Sequence, residues 1–159
     1  MFSQVLRFVR LPLLLILIYA VLRLIIGLRG VPYAPRGNAM FSVVGLTIIS
    51  SIYFGALSRK VGGFRWLGTV LVGFIIALWA QILVFTLTLI SYAAHLNNSY
   101  YLHWDSLGFK EPMPVSLNQL LGIRGGGLIA NIILGIVAAL LGRVLGALAP
   151  TPGDRQPML

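Results

Sequence analysis

Apolar side chains in this chain gather into four runs, 11–28, 39–57, 66–94 and 126–149, separated by stretches rich in arginine, glycine, proline and polar residues. At 1.5 Å of rise per residue, each run is long enough as a helix to cross roughly 30 Å of hydrocarbon. Membrane strands alternate apolar and polar positions over about ten residues, and no such alternation is visible. Helices satisfy their own backbone groups where no water is present. The pattern therefore predicts an all-α, polytopic integral membrane protein: one domain over 1–149 with four transmembrane helices.

The connections differ in kind. Arg7 and Arg10 precede the first run as in a signal peptide, but no A-x-A-like cleavage site follows, which predicts an uncleaved signal anchor. Residues 29–38, "RGVPYAPRGN", hold two prolines and two glycines and predict a tight turn. Residues 150–159 have the Pro-rich polar makeup of a flexible tail. The longest connection, 95–125, carries Tyr100, Tyr101, Trp104 and Phe109 and is expected to lie in the headgroup layer, where rings with one apolar and one wet end are favoured. Near its end Ser116 and Gln119 match a capping box. It opens a short helix at about 117–123 that is expected to break or bend at Gly125–Gly127 before the last span; a re-entrant turn, an interfacial helix and an extension of that span all fit.

Composition agrees with lipid as the solvent: 58% of residues are hydrophobic, 9% are charged and the mean hydropathy is +0.95. A formal charge of +9 on a soluble chain would suggest nucleic acid. Here the basic residues punctuate apolar spans, as orientation signals and lipid anchors do, and no nucleic-acid partner is expected. With the N-terminus inside, Arg7, Arg10, Arg59, Lys60, Arg65, Arg143 and Arg155 fall inside, and Arg23, Arg29, Arg36, Lys110 and Arg124 outside. Seven against five favours both termini in the cytoplasm and 95–125 as an extracytoplasmic interfacial loop. Arg59, Lys60 and Arg65 form the densest cluster and are expected to meet anionic headgroups at the cytoplasmic face.

Candidate chemistry is sparse. The chain has no cysteine, which excludes disulfides, thiolate nucleophiles and iron–sulfur ligation. Its three carboxylates, Asp105, Glu111 and Asp154, lie outside the runs and form no paired acid–base site in the membrane; no catalytic or metal-ligating set is assigned. His95 and His103 are the only imidazoles. They are the candidate cofactor ligands for a haem or chlorophyll-type pigment, although no cofactor is required by the sequence. Gln81, Thr88 and Ser91 give the third run a polar face, suited to interhelical hydrogen bonds or to a permeation path. Gly135, Ala138, Gly142 and Gly146 make a small-residue packing stripe, facing either the bundle or another subunit. Arg23 sits within the first run, and a pairing with Asp105 or Glu111 would pin the outer loop over the bundle. The functional expectation is a small non-enzymatic accessory or assembly subunit that packs against lipids and a membrane-protein partner or further copies of itself. The alternatives are a small transporter component or channel using the third span, and a pigment- or haem-bearing subunit.

Overall fold

The computed structural model describes residues 1–31, 33 and 41–149. The prolines of the 29–38 turn, Arg36, and the 150–159 tail with Asp154 and Arg155 lie outside the described residues. Among those described the chain is all-helical: α1 (Phe2–Phe8), α2 (Arg10–Leu28), α3 (Val43–Lys60), α4 (Trp66–Ala93) and α5 (Leu117–Leu148), with a short 3-10 turn at Asp105–Leu107. Three of these, α2, α4 and α5, are long and apolar enough to cross a membrane. The 18-residue α3 falls short because Thr47, Ser50, Ser51 and Ser58 interrupt it and Arg59 and Lys60 end it.

The break between α1 and α2 falls at Val9, three residues before Pro12. Proline has no amide hydrogen and its ring crowds the carbonyl four residues back, that of Phe8, so the helix is interrupted there. At this end of the bundle the Phe8 ring meets Phe54 and Phe64 edge-on, at 5.4 and 5.3 Å. The α3–α4 turn is closed by Gly63 at φ +64°, a conformation without cost only for glycine. At the far end Tyr19 packs on Phe41, and the loop after α4 reaches back to Ala20 of α2. Hence α2 and α4 run from the end that holds the α3–α4 turn (the tight-turn end) to the end that holds the 95–116 loop (the loop end), and α3 and α5 run back.

The inside of this bundle joins an apolar cluster around Val9, Ile16, Val72 and Ile76 to a set of small polar side chains, and the outside is large and apolar. Buried positions include Ser51, Ser58, Thr69, Thr88 and Ser91, while Ile49 and Tyr53 on the outer face of α3 are 67% and 59% exposed. Water as the solvent would favour the reverse arrangement; lipid favours this one, since apolar side chains lose nothing there and polar groups find partners inward. The stripe on α5 faces the bundle. A side chain at Gly142 would strike the backbone of Ile52, one at Gly146 the Ala56 carbonyl at 2.5 Å, and one at Gly135 the Ala77 methyl at 2.5 Å. Ala138 and Ala139 are buried beside them. Glycine is needed at Gly142 and at Gly55, which abuts Ala139, because the α3 and α5 backbones touch.

The expected break at Gly125–Gly127 does not occur. After a complete capping box at Ser116 and Gln119, α5 runs without interruption for 32 residues, about 48 Å. The glycines cost roughly 1 kcal/mol each in helix propensity. Against that, an apolar surrounding leaves unbonded backbone groups no partner but the helix itself. Arg124, one residue before them, is tied to the loop after α4.

Candidate functional site

Each end of the bundle holds one arginine that is 9% exposed, Arg143 at the tight-turn end and Arg23 at the loop end. Arg143 lies on the neighbouring side of α5 from the glycine stripe and is met by the α3–α4 corner. Its Nη1 donates to Thr69 Oγ1 at 2.7 Å and to the Phe64 carbonyl at 2.9 Å, with Ser58 Oγ at 3.5 Å. Ser58 Oγ gives its one hydrogen to the Gly55 carbonyl at 2.6 Å, so in the 2.8 Å contact between the two hydroxyls Thr69 must be the donor. The result is a directed chain from Arg143 through Thr69 and Ser58 to the α3 backbone. The Trp66 ring covers the guanidinium, with Cζ 4.7 Å from the centroid.

Around this arginine the surface opens into a cavity of about 630 Å³, whose lining includes Arg59, Arg65, Arg143, Trp66, Val144 and Leu148. Of the three cations expected at the headgroups, Arg59 and Arg65 border this cavity. Lys60 instead donates its Nζ to the Ala149 carbonyl at 2.6 Å, satisfying the C-terminus of α5. Arg143 thus turns inward, and Asn131, which shares its face of α5 twelve residues earlier, bonds the Gly127 carbonyl of its own helix.

At the loop end, Arg23 is surrounded by tyrosines. Its Cζ lies 5.5, 5.7 and 5.8 Å from the ring centroids of Tyr33, Tyr100 and Tyr101, and Nη2 donates to Tyr33 Oη at 3.3 Å. Asp105 and Glu111, the expected carboxylate partners, are exposed, and neither is among the partners described for Arg23. The loop is held down through its rings: Tyr101 Oη donates to the Ala20 carbonyl at 2.9 Å and Tyr100 Oη to Val31 at 2.8 Å. Both tyrosines are buried, where the sequence led us to expect rings spread in the headgroup layer. Burial pushes the Tyr101 phenol up to about 12, outweighing the downward pull of Arg23 and Arg124.

The histidines lie apart in role. His95 is exposed at φ 50°, just past α4, and its amide bonds the Tyr92 carbonyl while that of Leu96 bonds Ser91. These bonds form a Schellman motif, with His95 in the place usually taken by glycine. His103 stacks on Tyr33 at 4.3 Å, and burial lowers its pKa below the ordinary value although Asp105 pulls it upward. No group of three or more His, Asp or Glu able to hold a metal occurs among the described residues.

The polar side chains that the sequence singled out on α4 are buried, whereas Thr86 on the same helix is exposed. Thr88 Oγ1 bonds the Val84 carbonyl of its own helix at 2.7 Å, and Ser91 Oγ meets Ser99 Oγ of the loop after α4 at 2.8 Å. Gln81 is buried on the same face. No family model, curated protein or solved structure matches this chain.

Proposed function

We propose that this chain is a non-enzymatic accessory or assembly subunit of a membrane, crossing the bilayer four times with both termini in the cytoplasm, and that its tight-turn end binds the headgroup of an anionic phospholipid. The carrying observation is the cavity in which Arg59, Arg65 and Arg143 meet the indole of Trp66 beside the apolar wall of Val144 and Leu148. Three guanidiniums suit a phosphodiester, for which the planar fork offers paired donors. The apolar wall suits the start of an acyl chain. Each basic group near an anionic surface adds about 1 kcal/mol.

The fourth crossing is supported by direction. Since α2 and α4 point the same way, the chain has to return between them, and α3 is antiparallel to both and apolar on its outer face. Positive charge supports the orientation, with Arg7, Arg10, Arg59, Lys60, Arg65 and Arg143 all at the tight-turn end. The test is native mass spectrometry of protein extracted in mild detergent. Wild type should retain anionic phospholipid, and a variant carrying Arg59→Gln and Arg65→Gln, both at exposed positions, should lose most of it. Equal retention by the two proteins would remove the lipid site.

A further inference from the structure

A second and smaller cavity, about 230 Å³, lies at the loop end between α2, α3, α4 and the outer loop. Its lining brings together two guanidiniums from opposite flanks of the bundle, Arg23 and Arg124, with Tyr101, Ser42 and Ser106. The two cations repel one another across it, and neither Asp105 nor Glu111 is among the charges acting on Arg124. Arg124 donates to the Tyr101 carbonyl at 2.6 Å and the Ser106 carbonyl at 3.4 Å, while its Nε is buried without a partner.

The connection that follows Arg23 adds further positive charge. Residues 29–40 contain Arg29 and Arg36 but no Asp or Glu. Placing two like charges together away from water costs several kcal/mol per ion unless a counter-charge joins them. Carbonyls and rings offset part of that cost at each arginine, but they do not reduce the repulsion between the two.

We infer that the Arg23–Arg124 cavity is an anion site, taking an oxyanion of phosphate or carboxylate size between the two guanidiniums. The hydroxyl of Ser42, which accepts from the Gly45 amide and keeps its own hydrogen to give, is a further donor at the cavity, whereas that of Ser106 already donates to the His103 carbonyl. An anion there would bridge α2, α5 and the outer loop, so its occupancy would set how firmly the loop closes the bundle. The oxyanion could arrive free from solution or as the phosphate of a lipid; the chemistry of recognition is the same.

The experiment uses the full chain in delipidated maltoside micelles at constant ionic strength. Inorganic phosphate should raise the thermal midpoint in proportion to the logarithm of its concentration, beyond what chloride does. Arg23→Gln and Arg124→Gln should each weaken phosphate binding about tenfold or more, the loss expected for one charge-assisted contact. The Arg59→Gln, Arg65→Gln double variant, altered at the other end, should respond as wild type does. Because a loop-end variant could fail to fold, wild-type protein labelled with ¹⁵N-arginine provides a second measurement: phosphate should shift one buried Nε–H resonance. Repeating the titration in nanodiscs with and without phosphatidylglycerol separates the sources. Loss of the response in the anionic nanodiscs identifies lipid as the occupant, and an unchanged response identifies the free ion. A midpoint that follows ionic strength alone, with no arginine Nε–H shift, would overturn the site.

Discussion

The two ends of the bundle face the same problem and meet it with different materials. Arg143 and Arg23 are equally buried, and no carboxylate is described beside either. At the tight-turn end the charge is met by directed dipoles: two hydroxyls and a carbonyl, each at a fixed distance, on helices whose backbones touch. At the loop end it is met mainly by the faces of three tyrosines carried on connecting segments. Hydrogen bonds to an ion are steep in distance and angle, whereas ring faces tolerate displacement. The first arrangement therefore needs a rigid frame, and the second can be built from loops and can adjust to a ligand.

That contrast is broken most severely at the frame itself. Gly142→Leu puts a side chain into the Ile52 backbone and should force α3 and α5 apart, at a cost of about 3 kcal/mol or more. Unfolding in a rising fraction of SDS measures it. A midpoint near wild type would mean that the two helices separate freely, contrary to the close approach.

The next comparison tests the two arginine environments directly. Thr69→Val keeps shape but removes the shortest of the acceptors of Arg143, and should cost about 1.5–3 kcal/mol, the range for a bond to a charged group. Tyr33→Leu removes one of three rings around Arg23 and should cost less, about 0.5–2 kcal/mol. If the ring variant proves the more damaging of the two in the same SDS titration, the distinction between rigid dipoles and adaptable rings is wrong.

At the loop end α4 closes just before His95, which occupies the left-handed position of the Schellman motif at φ 50°. Glycine adopts this conformation without the steric penalty of a β-carbon, so His95→Gly should stabilise the protein by up to about 1 kcal/mol. A pigment ligand would behave otherwise. If His95 held a tetrapyrrole, the same change would abolish visible absorbance of protein purified from its source membrane and lower the midpoint.

Much of the architecture was legible because lipid imposes a coarse rule on sequence. Long apolar runs marked α2, α4 and α5, and Ser116 with Gln119 marked the start of α5, since a cap depends only on residues within one turn. The small-residue stripe was visible as a pattern, but its partners were not: Gly142 meets Ile52 and Gly135 meets Ala77 through packing between distant helices. Gly125–Gly127 misled because propensity scales describe helices in water, while here the surroundings penalise any break. The site residues were the least readable. Thr69 and Ser58 look like ordinary interruptions of apolar runs, and Arg124 looks like a flanking charge. Only the fold brings Arg143 to the first pair and Arg23 to Arg124. Tyr33, Tyr100 and Tyr101 offered a signal, three tyrosines in the connections at one end, but their amphipathic rings also suit the headgroup layer.

The smallest effect lies at the edge of the ring cluster and follows from protonation. His103 stacks on Tyr33 beside Trp104, accepts from the Asp105 amide through Nδ1 at 3.3 Å, and has the Asp105 carboxylate as its nearest opposing charge. Burial lowers its pKa from the ordinary 6.5 more than Asp105 raises it, so the folded protein holds this proton less firmly than the unfolded chain does. A group of that kind contributes stability that is fully present above pH 6.5 and is lost as pH falls through the lower folded value. The ring is only partly buried, so the loss is small and confined to the loop end. Limited proteolysis of residues 95–116 between pH 7.5 and 5 should show faster cleavage on acidification in wild type and a flatter profile in His103→Gln. Should the variant follow wild type across that range, the pH response of the loop belongs to another group, and the stacked imidazole is a spectator to the tyrosine cluster around Arg23.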